Sequence, residues 1–219
     1  EAGRGNADLA VTPEDFLGAE VFMKYLDHPD IFTSLAEEIP GRITKLIGAV
    51  AAECGMNVIA NFCEKDGGGI YNTSVLIDRT GRVAGKYRKI HLPASEKWRV
   101  RPGREFAVLP SDIGNIGFAT CYDIIFPENC RAAALCGADL IVHQTMGWGI
   151  GGNHDLGQAL LRTRAAENGV YLVTAKNHVP GDGVTSSIID NTGNVLAETG
   201  TADAVLACEF VPDYDRRQP

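Results

Sequence analysis

Residues 114–128, GNIGFATCYDIIFPE, set the architecture. The first seven residues form an apolar run of strand length. Pro127 then stands where a helix admits proline, at its first position, with Glu128 in the first turn and Gly137 placed to close the helix. A buried strand passing into a helix is the repeating unit of an α/β fold. The next apolar run, ADLIVHQT at 138–145, is a further strand, and its opening repeats that of ADLAVTPE at 7–14. The shared Ala-Asp-Leu-x-Val strand predicts two related α/β halves within one domain spanning 1–219.

Between these strands the pattern alternates. Residues 41–54 place Ile43, Leu46, Ile47, Val50 and Cys54 at helical spacing, the stripe of a helix packed on a sheet, and Gly55 ends it. NVIANF (57–62), NTSVLID (72–78) and a strand after RTGRV, separated by the turns KDGGG and RTGRV, predict a meander. Residues 155–168 predict a helix with Leu156, Ala159, Leu160 and Thr163 on its inner side, followed by the strand VYLVTA. A hairpin turning at Asn191, Thr192 and Gly193 and a last strand at 204–210 complete the chain. The opening at 1–14 reads as though an earlier strand and helix precede it.

Composition narrows the function classes. Twenty basic and twenty-eight acidic side chains leave a net charge of -8, and the basic residues form no run beyond KYRK, so a nucleic-acid surface is not expected. No apolar stretch has the roughly 18 residues of a membrane-spanning helix, and the first residues have no signal-peptide pattern, which predicts a cytoplasmic protein. The six cysteines include no C-x-x-C pair, and the histidines have no zinc-site spacing, so neither a disulfide scaffold nor a metal site is expected. DGGGIY and GWGIGGNH lack the Lys-Ser/Thr ending of a phosphate loop and read as turns.

Cys121 stands at the seam of strand and helix, the carboxyl edge of a sheet where open α/β folds hold their ligands. By position alone it is either a small core hydrophobe or a nucleophile. Three other segments bear on the choice: TPE brings Glu14 to the end of the equivalent strand, GKYRKIHLP offers Lys89, and SEKWRVRPG adds Glu96. With TCYDIIFPE and RTRAAENGVYLV, these segments resemble, in order, the motifs of the carbon–nitrogen hydrolase family, the nitrilase superfamily.

That resemblance implies a four-layer αββα sandwich of two mixed sheets flanked by helices. It implies a catalytic triad of Glu14 as general base, Lys89 as cation and Cys121 as nucleophile, with Glu96 as a second carboxylate and no cofactor. A thiol with a reference pKa of about 8.5 needs a base or a nearby cation to attack a carbonyl at neutral pH. Lys89 and the backbone N–H of Tyr122 are then the donors for the oxyanion. Taken singly, Glu14 also reads as a helix-start acid, Lys86 and Lys89 as solvated strand charges, and Glu96 as a partner of Arg99 or Arg101.

The sequence Cys121-Tyr122-Asp123 resembles amide and carbamoyl hydrolases rather than nitrilases proper. Where carbamoyl hydrolases tend to carry arginines, this chain has Ile124 and Ile125, an apolar wall that favours a neutral acyl group. The expectation is a hydrolase of a small carboxamide, with an N-carbamoyl compound as the alternative substrate and a non-catalytic binding or assembly protein as the rival. The family also implies a homo-oligomer. The ending VPDYDRRQP falls where many relatives continue into a tail.

Overall fold

A computed structural model describes residues 6–18, 29–147, 154–177, 185–200 and 204–209. The chain divides into two compact units, Glu1–Glu105 and Phe106–Pro219, and one copy of the Ala-Asp-Leu-x-Val strand falls in each. Each unit carries a mixed sheet with helices, as the expected fold class requires.

In the first unit the sheet order is β1 (Leu9–Val11), β2 (Asn57–Asp66), β3 (Gly69–Ile77) and β4 (Val83–Arg88). β1 runs parallel to β2, and the other pairs form the predicted antiparallel meander. The helices are α1 (Pro29–Leu35), which the sequence pattern did not reveal, and α2 (Arg42–Cys54), which ends at left-handed Gly55. Phe62, Val58, Ala60, Val75 and Ile77 form the core with Ala51, Ile43 and Ile47 of α2.

The buried face of α2 differs from the predicted stripe. Thr44, Gly48 and Ala51 are buried, whereas Leu46 and Val50 are exposed. The cause is a close backbone approach: a Cβ on Gly48 would lie 2.3 Å from the carbonyl oxygen of Gly81. The helix therefore rolls to set its smallest residue against the turn at 78–82, which carries Leu46 and Val50 away from the core.

In the second unit the order is β10 (Val195–Glu198), β9 (Ser187–Ile189), β8 (Tyr171–Lys176), β7 (Leu140–Thr145), β6 (Gly114–Thr120) and β5 (Val108–Ser111). β6, β7 and β8 are parallel, and the outer pairs are antiparallel. α3 (Pro127–Leu135) has Pro127 at its start as predicted, and α4 is His154–Asn168. Gly117 faces α3 so closely that a Cβ there would lie 2.9 Å from that of Ala133. Ala119, Ile141 and Leu172 meet Cys130, Ala133, Leu161 and Ala165 in one core.

Two expectations for this unit need correction. The inner face of α4 is Leu161, Arg164 and Ala165, while Leu156, Ala159 and Thr163 are exposed, because the packing contact falls in the second half of the helix. Residues 204–209 form no strand, having no ladder partner among the described residues. The glycine-rich residues 148–153 and the ending at 210–219 lie outside the described residues.

Candidate active site

In the first unit the chain leaves β1 through Thr12, whose N–H still bonds to the carbonyl of Ile59 at 2.9 Å, and turns at Pro13. Asn61 catches that turn: its Oδ1 accepts from the Asp15 N–H at 2.7 Å and its carbonyl accepts from the Phe16 N–H at 3.2 Å. Asp15 takes a left-handed conformation, φ 45°, which Asp tolerates better than most side chains. The result is a fully turned-in Glu14, 1% exposed.

A relay of amides orients the carboxylate. The Nδ2 of Asn61 donates to Asn72 Oδ1 at 2.8 Å and to Ser74 Oγ at 3.1 Å. Because the oxygen of Asn72 is thereby occupied as an acceptor, its Nδ2 faces Glu14 Oε1, to which it donates at 2.8 Å.

β4 resolves the KYRK run by its two-residue period. Lys86 and Arg88 lie on one side and pair with buried Glu64, Arg88 at 2.7 and 2.8 Å. Tyr87 and Lys89 are buried. Lys89 is held through its backbone by Asn72 O at 2.9 Å and Gly103 N at 2.8 Å. Its Nζ donates to Glu14 Oε1 and to Glu96 Oε1, both at 2.9 Å, with the lysine side chain 0% exposed. Glu96 sits in a turn in which its N–H bonds to Pro93 O and its own carbonyl accepts from Arg99 and Val100.

The structure thus brings Glu14, Lys89 and Glu96 together and removes the solvated reading of Lys89. Burial holds the Glu96 carboxyl above the usual carboxylate range; the Lys89 ammonium opposes that shift and the Glu14 carboxylate adds to it. Glu96 Oε2 is buried without a hydrogen-bond partner among the described residues, an acceptor beside the cation. Burial, then the neighbouring Glu14, pushes Asp15 up to about 7. Burial also raises the thiol of Cys63 and lowers Arg99.

In the second unit Cys121 follows the last residue of β6 and opens a short 3-10 turn, Cys121–Ile125. Its φ is 48°, the left-handed region, where a side chain with a Cβ costs on the order of 1–3 kcal/mol. Such a sharp strand-to-helix turn lifts a nucleophile off the sheet edge. Cys121 is half-buried, whereas Cys130 of α3 is fully buried, its thiol pushed up to about 12 by burial. Among these two, Cys130 is the core thiol.

The turn is anchored on several sides. Asp123, 0% exposed, accepts from the Thr120 N–H at 2.9 Å. Arg164 of α4 donates from Nε to Ile124 O and from Nη2 to Ile125 O, both at 3.1 Å. His143 of β7 lies 3.3 Å from the carbonyl oxygen of Cys121. The expected apolar wall is corrected for Ile124: it is 7% exposed and packs into the core with Ala119, Cys130 and Leu161, because the 3-10 turn points it inward. Ile125 packs against the same core.

Asn61, Asn72 and Asp15 were not singled out from the sequence, although asparagines inside otherwise apolar strand patterns are a visible signal. Arg164 lies within RTRAAENGVYLV and His143 within the strand ADLIVHQT, and no local pattern marks either. Metal chemistry finds no cluster of three or more His, Cys, Asp or Glu ligands among the described residues. No helix among the described residues is long and apolar enough to cross a membrane.

Comparison with known proteins gives the family and the fold. The chain is 36% identical over 179 residues to a nitrilase of Pyrococcus abyssi, covering 80% of this chain and 64% of that protein's length. It is 30% identical to an omega-amidase of Homo sapiens, covering 94% of this chain and 77% of the other. An amidase from Nesterenkonia sp. superposes with a TM-score of 0.77 at 27% identity over 99% of this chain and 82% of its own. A Saccharomyces cerevisiae member of branch 10 of the nitrilase superfamily shares the fold, with a TM-score of 0.78 at 23% identity over 91% of this chain and 75% of that one. A family model described as carbon-nitrogen hydrolase matches residues 1–209, and the chain belongs to that family.

Proposed function

We propose that the protein is an amidase-type hydrolase that cleaves the non-peptide C–N bond of a small carboxamide through a thioester on Cys121. The observation that carries this reading is the buried ammonium of Lys89 between two buried carboxylates, Glu14 and Glu96. Apolar residues of similar volume serve a core as well as or better than buried ions, so such a cluster points to chemistry rather than stability. A binding or assembly role leaves it unexplained.

In this mechanism Glu14 takes the proton of the Cys121 thiol as sulfur attacks the amide carbon. The carbonyl becomes an oxyanion, held by Lys89 Nζ and the Tyr122 N–H. Collapse breaks the C–N bond, and Glu14 returns its proton to the departing ammonia or amine. A water molecule, deprotonated by Glu14, then attacks the thioester; the acid leaves and the thiol is restored. Glu96 keeps the ammonium in place, and its open Oε2 is suited to accept an N–H from the substrate amide.

Relatives named omega-amidase and amidase support an amide, and the nitrilase relative makes a nitrile the proper control. Solved forms of the Nesterenkonia amidase carry covalent additions at that protein's active site cysteine, which supports covalent catalysis. Ile124 lies in the core rather than facing a substrate, and N-carbamoyl compounds stay as the alternative. A homo-oligomer in the cytoplasm belongs to the same reading, with light scattering as the check on assembly.

The test is ammonia release from matched primary amides, nitriles and N-carbamoyl compounds, by the parent protein and by Cys121→Ala. Amide turnover is expected, and the variant is expected to lose it with an unchanged circular dichroism spectrum. Full turnover by the variant sinks the proposal.

A further inference from the structure

We propose that His143 is a positioning residue: it holds the Cys121–Tyr122 peptide so that the Tyr122 N–H faces the substrate oxyanion. The inference rests on the hydrolase reading above and starts from sheet register. β6, β7 and β8 are parallel, with Ala119 opposite His143 and His143 opposite Thr174. Residues in register on adjacent strands share a face. His143, 5% exposed, therefore lies near the end of its strand between Thr174 on one side and the exit of β6 toward Cys121 on the other.

The contacts define the tautomer. His143 Nε2 lies 3.3 Å from Cys121 O, and Nδ1 lies 3.3 Å from Thr174 Oγ1. A carbonyl oxygen only accepts, so Nε2 carries the hydrogen and donates it. In the neutral ring Nδ1 is then the acceptor, and the Thr174 hydroxyl donates to it. The chain of donors runs from Thr174 through the imidazole to the Cys121 carbonyl.

That carbonyl belongs to the same rigid plane as the Tyr122 N–H. The Cys121–Tyr122 peptide is trans, so its C=O and N–H point in opposite directions. Holding the oxygen on His143 aims the hydrogen the other way. Cys121 already sits at a strained φ of 48°, and a bond to its carbonyl restrains the next torsion, ψ, which sets the plane of this peptide. Arg164 fixes the far end of the turn through the carbonyls of Ile124 and Ile125, and His143 bonds to the carbonyl at its start.

The test separates oxyanion chemistry from thiol chemistry. Alkylation by iodoacetamide is a displacement in which the Cys121 sulfur forms a bond to carbon and iodide leaves; no oxyanion develops. Amide hydrolysis needs the oxyanion donor. His143→Phe is expected to lower kcat for the best amide by roughly 10²-fold, in line with loss of one oxyanion donor, with KM little changed. Its Cys121 alkylation rate is expected to stay within about threefold of the parent, and His143→Gln, which retains a donor at the Nε2 position, recovers part of the loss.

Affinity for a small aldehyde, which forms a tetrahedral hemithioacetal, should fall alongside kcat/KM. Thr174→Val frees the tautomer and gives a smaller fall of the same kind, which keeps the test decisive if His143→Phe does not fold. Equal losses of alkylation and turnover, or unchanged turnover in both Thr174→Val and His143→Phe, overturn the proposal. If the parent protein hydrolyses no amide, nitrile or carbamoyl compound, it is the hydrolase reading that has failed instead.

Discussion

Lys89→Met removes the one ammonium that Glu14 Oε1 and Glu96 Oε1 each hold at 2.9 Å. Those oxygens lie no more than about 6 Å apart, and two unit charges at that distance repel by about 3 kcal/mol at an effective dielectric of about 20. Glu96, already above the ordinary carboxylate range through burial, loses the ammonium that opposed that shift and is pushed further up. Removing one partner of a buried ion pair costs about 3–5 kcal/mol, so the variant is expected to lose that much stability near pH 8.

The loss has a definite pH dependence. A carboxyl whose folded pKa is raised binds a proton that the unfolded chain has released, so the folded state is favoured as pH falls. The gap between parent and variant is therefore expected to narrow as pH falls from about 8 to about 5. Urea unfolding of both proteins across that range measures it. A gap below about 1 kcal/mol, or one that does not change with pH, refutes the electrostatic reasoning. Methionine matches the lysine stem in length, so the comparison isolates the charge.

Asp15→Asn is a second electrostatic test: burial and Glu14 hold Asp15 at about 7, so its contribution to stability falls as pH rises from about 4 to 7. The amide keeps the left-handed turn and removes that fall, giving the variant a relative gain of up to roughly 4 kcal/mol at pH 8 over pH 4; parallel profiles contradict the assignment. Asn72→Leu deletes the 2.8 Å bond to Glu14 and is expected to cost about 1.5–3 kcal/mol in urea unfolding together with most of the turnover, and a neutral effect on both removes the relay from the argument. Arg164→Lys cannot serve the carbonyls of Ile124 and Ile125 together, and a loss of about 2 kcal/mol with slower turnover is expected; an unchanged melting temperature and rate count against the anchor.

Local chemistry made much of this protein legible in its sequence. Apolar runs with glycine and proline punctuation gave β6 and α3 at their observed places, and the meander of β2, β3 and β4 followed from alternating strands and turns. The candidate residues Glu14, Lys89, Glu96 and Cys121 were recognisable because the segments that carry them resemble, in order, the motifs of the carbon–nitrogen hydrolase family. The strands, turns and helix depend on neighbours within a few positions, which is the range over which side-chain period and turn preference act.

What only the tertiary structure decided depends on distant neighbours. The exposure of Leu46 and Val50 follows from Gly48 meeting Gly81, and the burial of Arg164 on α4 from the carbonyls of Ile124 and Ile125. The relay from Asn61 through Asn72 to Glu14 joins the interiors of β2 and β3 to the turn after β1. His143 acquires its contact with Cys121 only once β6, β7 and β8 pair in register. Periodicity states which residues share a face of one element; which elements meet, and how closely, is set by long-range packing and by the demand that buried polar groups find partners.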